Sequence, residues 1–239
     1  MVIDAFIPAR AGSKRVPGKN LKELSGHPLI AYSIVSALES NIFRDVYVST
    51  DGKKTAEVAE KYGAKVIFRP SELSGDRSLD VEWLSHALHF IPKMPQYFAI
   101  LRPTNPFRQP ETIKRAWNCI KNDQYADSLR AIRQVKEHPG KMWTLEGKYI
   151  SPLMNYPPVN GHYSYNSPTQ ALPPVYVQSA ALEMGLVRNV EICRSVSGMK
   201  IIPFFINEYE DFDINTPLDM IMAKLLVKTG VIKLPQVKT

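Results

Sequence analysis

The order of apolar patterns over the first 70 residues constrains this chain more than any other feature. IDAFIPA (3–9) reads as a buried strand, and PLIAYSIVSALES (28–40) repeats its apolar residues at helical spacing behind Pro28, a residue suited to a first helical turn. DVYVST (45–50) reads as a strand, KTAEVAEKYG (54–63) as a helix closed by Gly63, and AKVIFR (64–69) as another strand. Strands separated by helices pair in parallel. The order therefore predicts a parallel sheet with helices on both faces and ligands at the carboxyl ends of the strands.

The alternation continues with a helix in DVEWLSHALHFI (80–91), a strand in YFAILRP (97–103), a helix in PETIKRAWNCIK (110–121) and a strand in DSLRAIRQV (127–135). It then breaks. Residues 136–174 are dense in proline, tyrosine and asparagine without a sustained helical period, and read as an excursion inserted into one domain spanning 1–239. Such excursions cover sites or mediate contacts between copies, and the aromatic and Met content of this one suits an interface. The sheet pattern resumes in VYVQSAALEM (175–184) and MKIIPFFI (199–206), and a last helix starts at Thr216 as N-cap, with Pro217 in its first turn, and ends near Gly230.

At 239 residues and 44% hydrophobic, the chain can bury a sizeable core. No apolar run approaches the roughly 18 to 20 residues needed to cross a bilayer. The start MVIDAF lacks the features of a signal peptide, and two cysteines, Cys119 and Cys193, suit a reducing cytoplasm as small buried packing groups. The net charge of +7 favours acidic ligands, yet outside the first loop the basic residues are scattered, with no stripe of interleaved cations and aromatics. Nucleic acid is therefore not expected as a partner, and neither is a membrane.

The concentrated charge lies in FIPARAGSKRVPGKN (6–20), where a strand runs into a loop containing Arg10, Gly12, Lys14, Arg15, Gly18 and Lys19. A strand feeding such a loop is suited to phosphate. Five residues separate Gly12 from Gly18 and Asn20 follows Lys19, which rules out the P-loop pattern; the third glycine of the dinucleotide fingerprint is missing. There remains a loop whose amides can wrap a triphosphate while Arg10, Lys14 and Lys19 neutralise it, as nucleotidyl transfer requires. A solvated basic loop is the plainer alternative.

IPARAGSKRVPGKNL resembles the opening motif of the cytidylyltransferases that activate sialic acids and related nonulosonates. VSTDG (48–52), RPSELSGD (69–76), RPTNPFR (102–108), EHPGK (137–141), QALPPVY (170–176) and DFDINTPLD (211–219) follow in that family's order, so the resemblance covers essentially the whole chain. It implies a Rossmann-like αβα nucleotide-diphospho-sugar transferase fold with a mostly parallel central sheet. It also implies a homodimer that couples CTP to an acidic sugar with Mg²⁺ as cofactor.

Carried over by residue, the resemblance implies that Ser13, Lys14 and Asn20 hold the triphosphate together with Arg10 and Lys19, the catalytic cations nearest the reacting phosphates, and that Ala9, Ala11 and Gly12 bind the nucleotide. Arg69 and Asp76 match the segment that closes over base and ribose, although Asp76 could instead cap the next helix. Asp213 is the expected principal metal ligand, with Asp211 and with Asn215 standing where much of the family has a carboxylate. Asp219 reads as a first-turn helix residue rather than a ligand.

On the sugar side, Arg102 stands where the sialic acid enzymes usually have Gln. It could grip the acceptor carboxylate or pair with a protein carboxylate. Lys141, Thr169 and Gln170 complete the expected substrate set, Thr169 replacing an arginine common in those enzymes, while Ser179 and Ala180 stand at an Asn-Gly pair. His138 is a possible sugar contact, and His86 reads as a core or surface histidine. The same chemistry on a different acceptor, a sialic, legionaminic or pseudaminic type of acid, is the expectation. The alternatives are another nucleotide or sugar on this fold, or a catalytically weak nucleotide-binding module.

Overall fold

The computed structural model describes residues 1–13, 15–154, 156–157, 161–207 and 209–237. Lys14 lies outside the described residues. The elements are β1 (Ile3–Pro8), β2 (Glu23–Leu24), β3 (His27–Pro28), α1 (Leu29–Glu39), β4 (Val46–Thr50), α2 (Lys53–Lys61), β5 (Lys65–Phe68), α3 (Asp80–Phe90), β6 (Tyr97–Ile100) and α4 (Pro110–Lys121). They continue with β7 (Ser128–Gln134), β8 (Trp143–Glu146), β9 (Tyr149–Pro152), β10 (Tyr176–Leu186), α5 (Val187–Cys193), β11 (Ile201–Phe205) and α6 (Pro217–Lys228).

The main sheet has seven strands in the order β11-β7-β10-β6-β1-β4-β5. β1 pairs in parallel with both β4 and β6, and β4 with β5, while β10 runs antiparallel to β6. The parallel half follows from the β-α-β order, since each helix returns the chain to the same edge direction. The antiparallel entry of β10 was not legible in the local pattern, because a strand's direction depends on where the preceding excursion returns the chain.

The pleat of β1 explains the two layers of helix. Ile3, Ala5 and Ile7 lie in one buried cluster with Ile30 and Ile34 of α1, Ala59 of α2 and Trp117 of α4. Phe6 points the other way into a second cluster with Trp83, Leu84 and Leu88 of α3 and Val190 of α5. Each full burial of such a side chain contributes about 1.5–3 kcal/mol.

Local sequence fixes the helix ends. Thr216 accepts a bond from Asp219 N–H at 3.2 Å and the Asp219 carboxylate accepts Thr216 N–H at 2.7 Å, a reciprocal cap on α6. Gly63 at φ +91 follows α2 in the left-handed region that glycine enters without a Cβ penalty. Pro28 belongs to the short ribbon β2–β3 ahead of α1, correcting its placement in the first helical turn; its ψ of 143 is extended. The buried Glu210 carboxylate accepts Gln109 N–H at 3.0 Å and so satisfies the start of α4.

The chain divides into two compact units, Met1–Ala131 with Ser179–Thr239, and Ile132–Gln178. Within the second, β8 and β9 form a hairpin turned at Gly147, φ +63. His138 is buried there; its Nδ1 accepts Gly140 N–H at 3.0 Å and its Nε2 donates to Pro173 O at 2.9 Å. Both ring nitrogens are thus engaged by backbone groups of this loop, which gives His138 a structural role there. Cys119 and Cys193 are free and exposed, against the expectation of buried packing groups. Helical spacing turns Cys119 away from the buried Ile113, Ala116, Trp117 and Ile120 face of α4. No helix among the described residues is long and apolar enough to cross a membrane.

Candidate functional site

A cleft of about 250 Å³ opens at the carboxyl ends of β1, β5 and β6. Four cations line it, namely Arg10, Lys19, Arg69 and Arg102, together with the carboxylates Asp76 and Asp80. Ser13 and Asn20 also face it. Sequence-distant residues meet there because parallel strands end on the same edge of the sheet.

The loop after β1 is shaped by its own hydrogen bonds. Gly18 at φ +64 turns the chain into a short 3-10 helix over Lys19–Leu21, and Asn20 Nδ2 donates to Arg10 O at 3.2 Å. Ala9 N–H goes to Ser49 O at 2.9 Å and Ala11 N–H to the Asp51 carboxylate at 2.8 Å. The amides of Ala9 and Ala11 thus hold the loop rather than a phosphate. An added Cβ at Gly12 would meet nothing within 4 Å, so the backbone there is open to approach.

Arg10 crosses the cleft to Asp76, Nη2 to Oδ1 at 2.7 Å. Asp76 is not the cap of α3: the N-cap is Leu79, whose N–H is accepted by Glu82 at 2.8 Å. Lys19 donates to Ile214 O at 2.7 Å and lies 3.4 Å from Asn215 Oδ1. Burial holds its pKa below the usual lysine value, against the favourable field of Asp213, while Arg15 and Arg10 add repulsion.

Arg69 is buried, its guanidinium 5.8 Å from the Trp83 ring and its Nε without a hydrogen-bond partner. Burial lowers its pKa, and Asp51 partly offsets this. Arg102 resolves between its two readings toward a protein carboxylate. It forks onto Asp80, with which it also makes a very short contact, and reaches Glu183 Oε1 at 3.1 Å. Burial alone would lower its pKa, but Asp80 and Glu183 raise it well above the ordinary value. The far oxygen of Glu183 is 3.1 Å from Arg130, within ion-pair reach though not aligned as a hydrogen bond.

Asp213 shows one oxygen bonded to Asn215 Nδ2 at 2.6 Å and the other, Oδ1, buried without a partner. Such an oxygen is an acceptor available to a ligand or to water. Asp211 and Asp213 lie in the loop before α6 rather than at the end of β11, because Asn207 and Glu210 bend the chain there; Glu210 N donates to Asn207 Oδ1 at 2.9 Å. Asp211 O accepts Asn105 Nδ2 at 3.3 Å. Among the described residues no group of three or more His, Cys, Asp or Glu side chains could hold a metal ion.

In the second unit, Thr169 and Gln170 line a separate cavity of about 230 Å³ with His138, and Lys141 Nζ donates to Tyr165 O at 3.4 Å. The sequence reading missed Asp80, Glu183 and Asp51. Asp80 looked like an ordinary first-turn carboxylate; Asp51 sat in a quoted motif without a role; Glu183 lay in a strand with no polar signal around it.

A cationic cleft at the ends of parallel strands, with a glycine-containing loop and a ligand-ready carboxylate, defines an α/β enzyme of the nucleotide-diphospho-sugar transferase fold. The family model described as cytidylyltransferase matches residues 5–151, and the chain belongs to that family. It is a nucleotidyltransferase. It is 32% identical over 235 residues to the CMP-N,N'-diacetyllegionaminic acid synthase of Legionella pneumophila, covering 95% of this chain and 97% of that protein. It is 43% identical over 114 residues to the N-acylneuraminate cytidylyltransferase of Escherichia coli, a match taking in 48% of this chain and 27% of the relative's length. Its fold matches a solved CMP:2-keto-3-deoxy-manno-octonic acid synthetase complexed with CTP at a TM-score of 0.71 and 15% identity, covering 96% of this chain and 100% of that one.

Proposed function

We propose that this enzyme transfers CMP from CTP to an acidic nonulosonate-type sugar, with a legionaminic-type acid as the leading acceptor. The observation that carries this reading is the end-to-end match to the Legionella legionaminic acid synthase over 95% of this chain. The cationic cleft supports it, since a triphosphate and a carboxylated sugar are both anions and Arg10, Lys19 and Arg69 lower the cost of bringing them together.

In the proposed reaction the acceptor hydroxyl oxygen forms a bond to the α-phosphorus. The bond to the bridging oxygen breaks, pyrophosphate leaves with that electron pair, and the hydroxyl proton passes to solvent. Arg10 and Lys19 stabilise charge on the phosphates, and Ser13 and Asn20 shape the loop that orients them. Arg69 stands on Trp83 where the nucleoside would lie. Arg102, held by Asp80 and Glu183, shapes the acceptor side rather than offering a lone guanidinium.

The donor set fits Mg²⁺ in a limited way: Asp213 Oδ1 is the available hard oxygen, Asn215 orients that carboxylate, and phosphate oxygens and water would supply the rest. When bound, Mg²⁺ would withdraw charge from the phosphate oxygens. Lys141, Thr169 and Gln170 are proposed as sugar-binding residues. The exposed Leu145, Tyr149 and Ile150 support a homodimer, and the low cysteine count supports a cytoplasmic setting.

The test is incubation with CTP, Mg²⁺ and a panel of nonulosonic and octulosonic acids, with the product identified by mass. A CMP conjugate of a nine-carbon acid with release of pyrophosphate is expected. No pyrophosphate with any acid, or equal turnover with UTP or GTP, overturns the reading.

A further inference from the structure

The tetrapeptide Ser49–Gly52 carries no assigned role, yet it grips the loop after β1 at several points. β1 and β4 are parallel neighbours in register up to Pro8 and Ser49. Past the strand ends the pairing continues in another form: Ala9 N–H donates to Ser49 O at 2.9 Å, and Thr50 Oγ1 donates to Ala9 O at 2.6 Å. Ala11 N–H then donates to Asp51 Oδ1 at 2.8 Å. Gly52 N–H returns to Thr50 Oγ1 at 3.1 Å and closes the turn.

Gly52 has its own steric reason. A Cβ built there would lie 2.9 Å from Ala11 Cβ, closer than side chains tolerate, so only glycine lets the two segments meet. The same turn reaches a second cation of the cleft, because Thr50 O accepts Arg69 N–H at 2.9 Å. One tetrapeptide thus sets the backbone from which both Arg10 and Arg69 enter the cleft.

We propose that Asp51 is a positioning residue for nucleotide binding, its carboxylate fixing the Ala11 amide so that the loop presents Arg10 and Ser13 to the triphosphate. The inference rests on the reading of that loop as the triphosphate site. The sign of the charge points to geometry rather than electrostatics. A carboxylate beside a triphosphate repels it, so the value of Asp51 lies in the hydrogen bond it accepts.

The experiment is calorimetric titration of the full chain with CTP and Mg²⁺, with thermal melting of each variant. Asp51→Ala is expected to weaken CTP binding about tenfold. Asp51→Asn keeps an acceptor oxygen and is expected to stay within about threefold of the parent. Gly52→Ala is expected to weaken CTP binding by the folded protein and to lower the melting temperature by a few degrees, since its Cβ presses on Ala11 and alanine is a poorer N-cap of α2 than glycine. It keeps the test decisive should Asp51→Ala not fold.

CTP binding by Asp51→Ala or Gly52→Ala at parental affinity overturns the proposal, as does an Asn variant as weak as the Ala variant. Lys19→Ala separates the two levels. If it weakens CTP binding while Asp51→Ala does not, positioning by Asp51 fails alone; if it leaves CTP binding unchanged, the triphosphate reading fails and the proposal with it.

Discussion

Arg102 donates to both Asp80 and Glu183, joining the first turn of α3 to β10 with one guanidinium. Its removal leaves two carboxylates without that cation, one of them, Glu183, almost fully buried. Arg102→Ala is expected to destabilise the fold by about 3 kcal/mol in urea unfolding. Combining it with Asp80→Ala is expected to recover part of the loss. Unchanged stability with a raised KM for the acceptor would instead make Arg102 a direct substrate contact.

Lys19, in its proposed role, is expected to set an alkaline limit on activity. Burial holds its pKa below the usual 10.5 and only its charged form neutralises phosphate, so activity is lost as pH rises through that lowered value. The alkaline limb of kcat/KM for CTP, which reports the free enzyme, is expected to fall below pH 10.5 and to move upward in Lys19→Arg. The loss is not unfolding. Between the folded and unfolded pKa the unfolded chain binds more protons, so the Lys19 contribution to stability increases with pH there.

Asp213→Asn changes the carboxylate whose buried Oδ1 has no hydrogen-bond partner. The Mg²⁺ concentration for half-maximal turnover is expected to rise about tenfold or more. An unchanged requirement, measured by pyrophosphate release against free Mg²⁺, would remove Asp213 from the metal site.

Gly198→Ala tests a packing contact outside the cleft. An added Cβ would stand 2.0 Å from the Asp127 carboxylate, which accepts the N–H groups of Met199 and Lys200. Overpacking of this kind is expected to cost about 1–3 kcal/mol. Urea unfolding is the measurement, and CTP binding by the folded fraction is expected to be unaffected.

The sequence by itself determined most of the elements and the cationic loop, because both are local properties. The 3.6-residue period of α4 runs from Pro110 to Lys121 in pattern and in structure, and the Thr216 and Asp219 cap is complete within four residues. Gly12, Gly18 and the cations between Arg10 and Lys19 lie within ten residues of one another, so their chemistry could be read without a fold. The motif order likewise made the cytidylyltransferase family legible.

Only the tertiary structure decided partnership. Whether Arg102 faces a substrate or a carboxylate depends on Asp80 and Glu183, 22 and 81 residues away, and no local pattern carries that information. His138 could not be assigned until its two ring nitrogens were seen to be used by Gly140 and Pro173. Asp51 acquired a role only when β1 and β4 lay side by side. Hydrogen bonds and ion pairs act over a few ångströms of space, and the chain separation between their partners is set by topology, which local propensity does not encode.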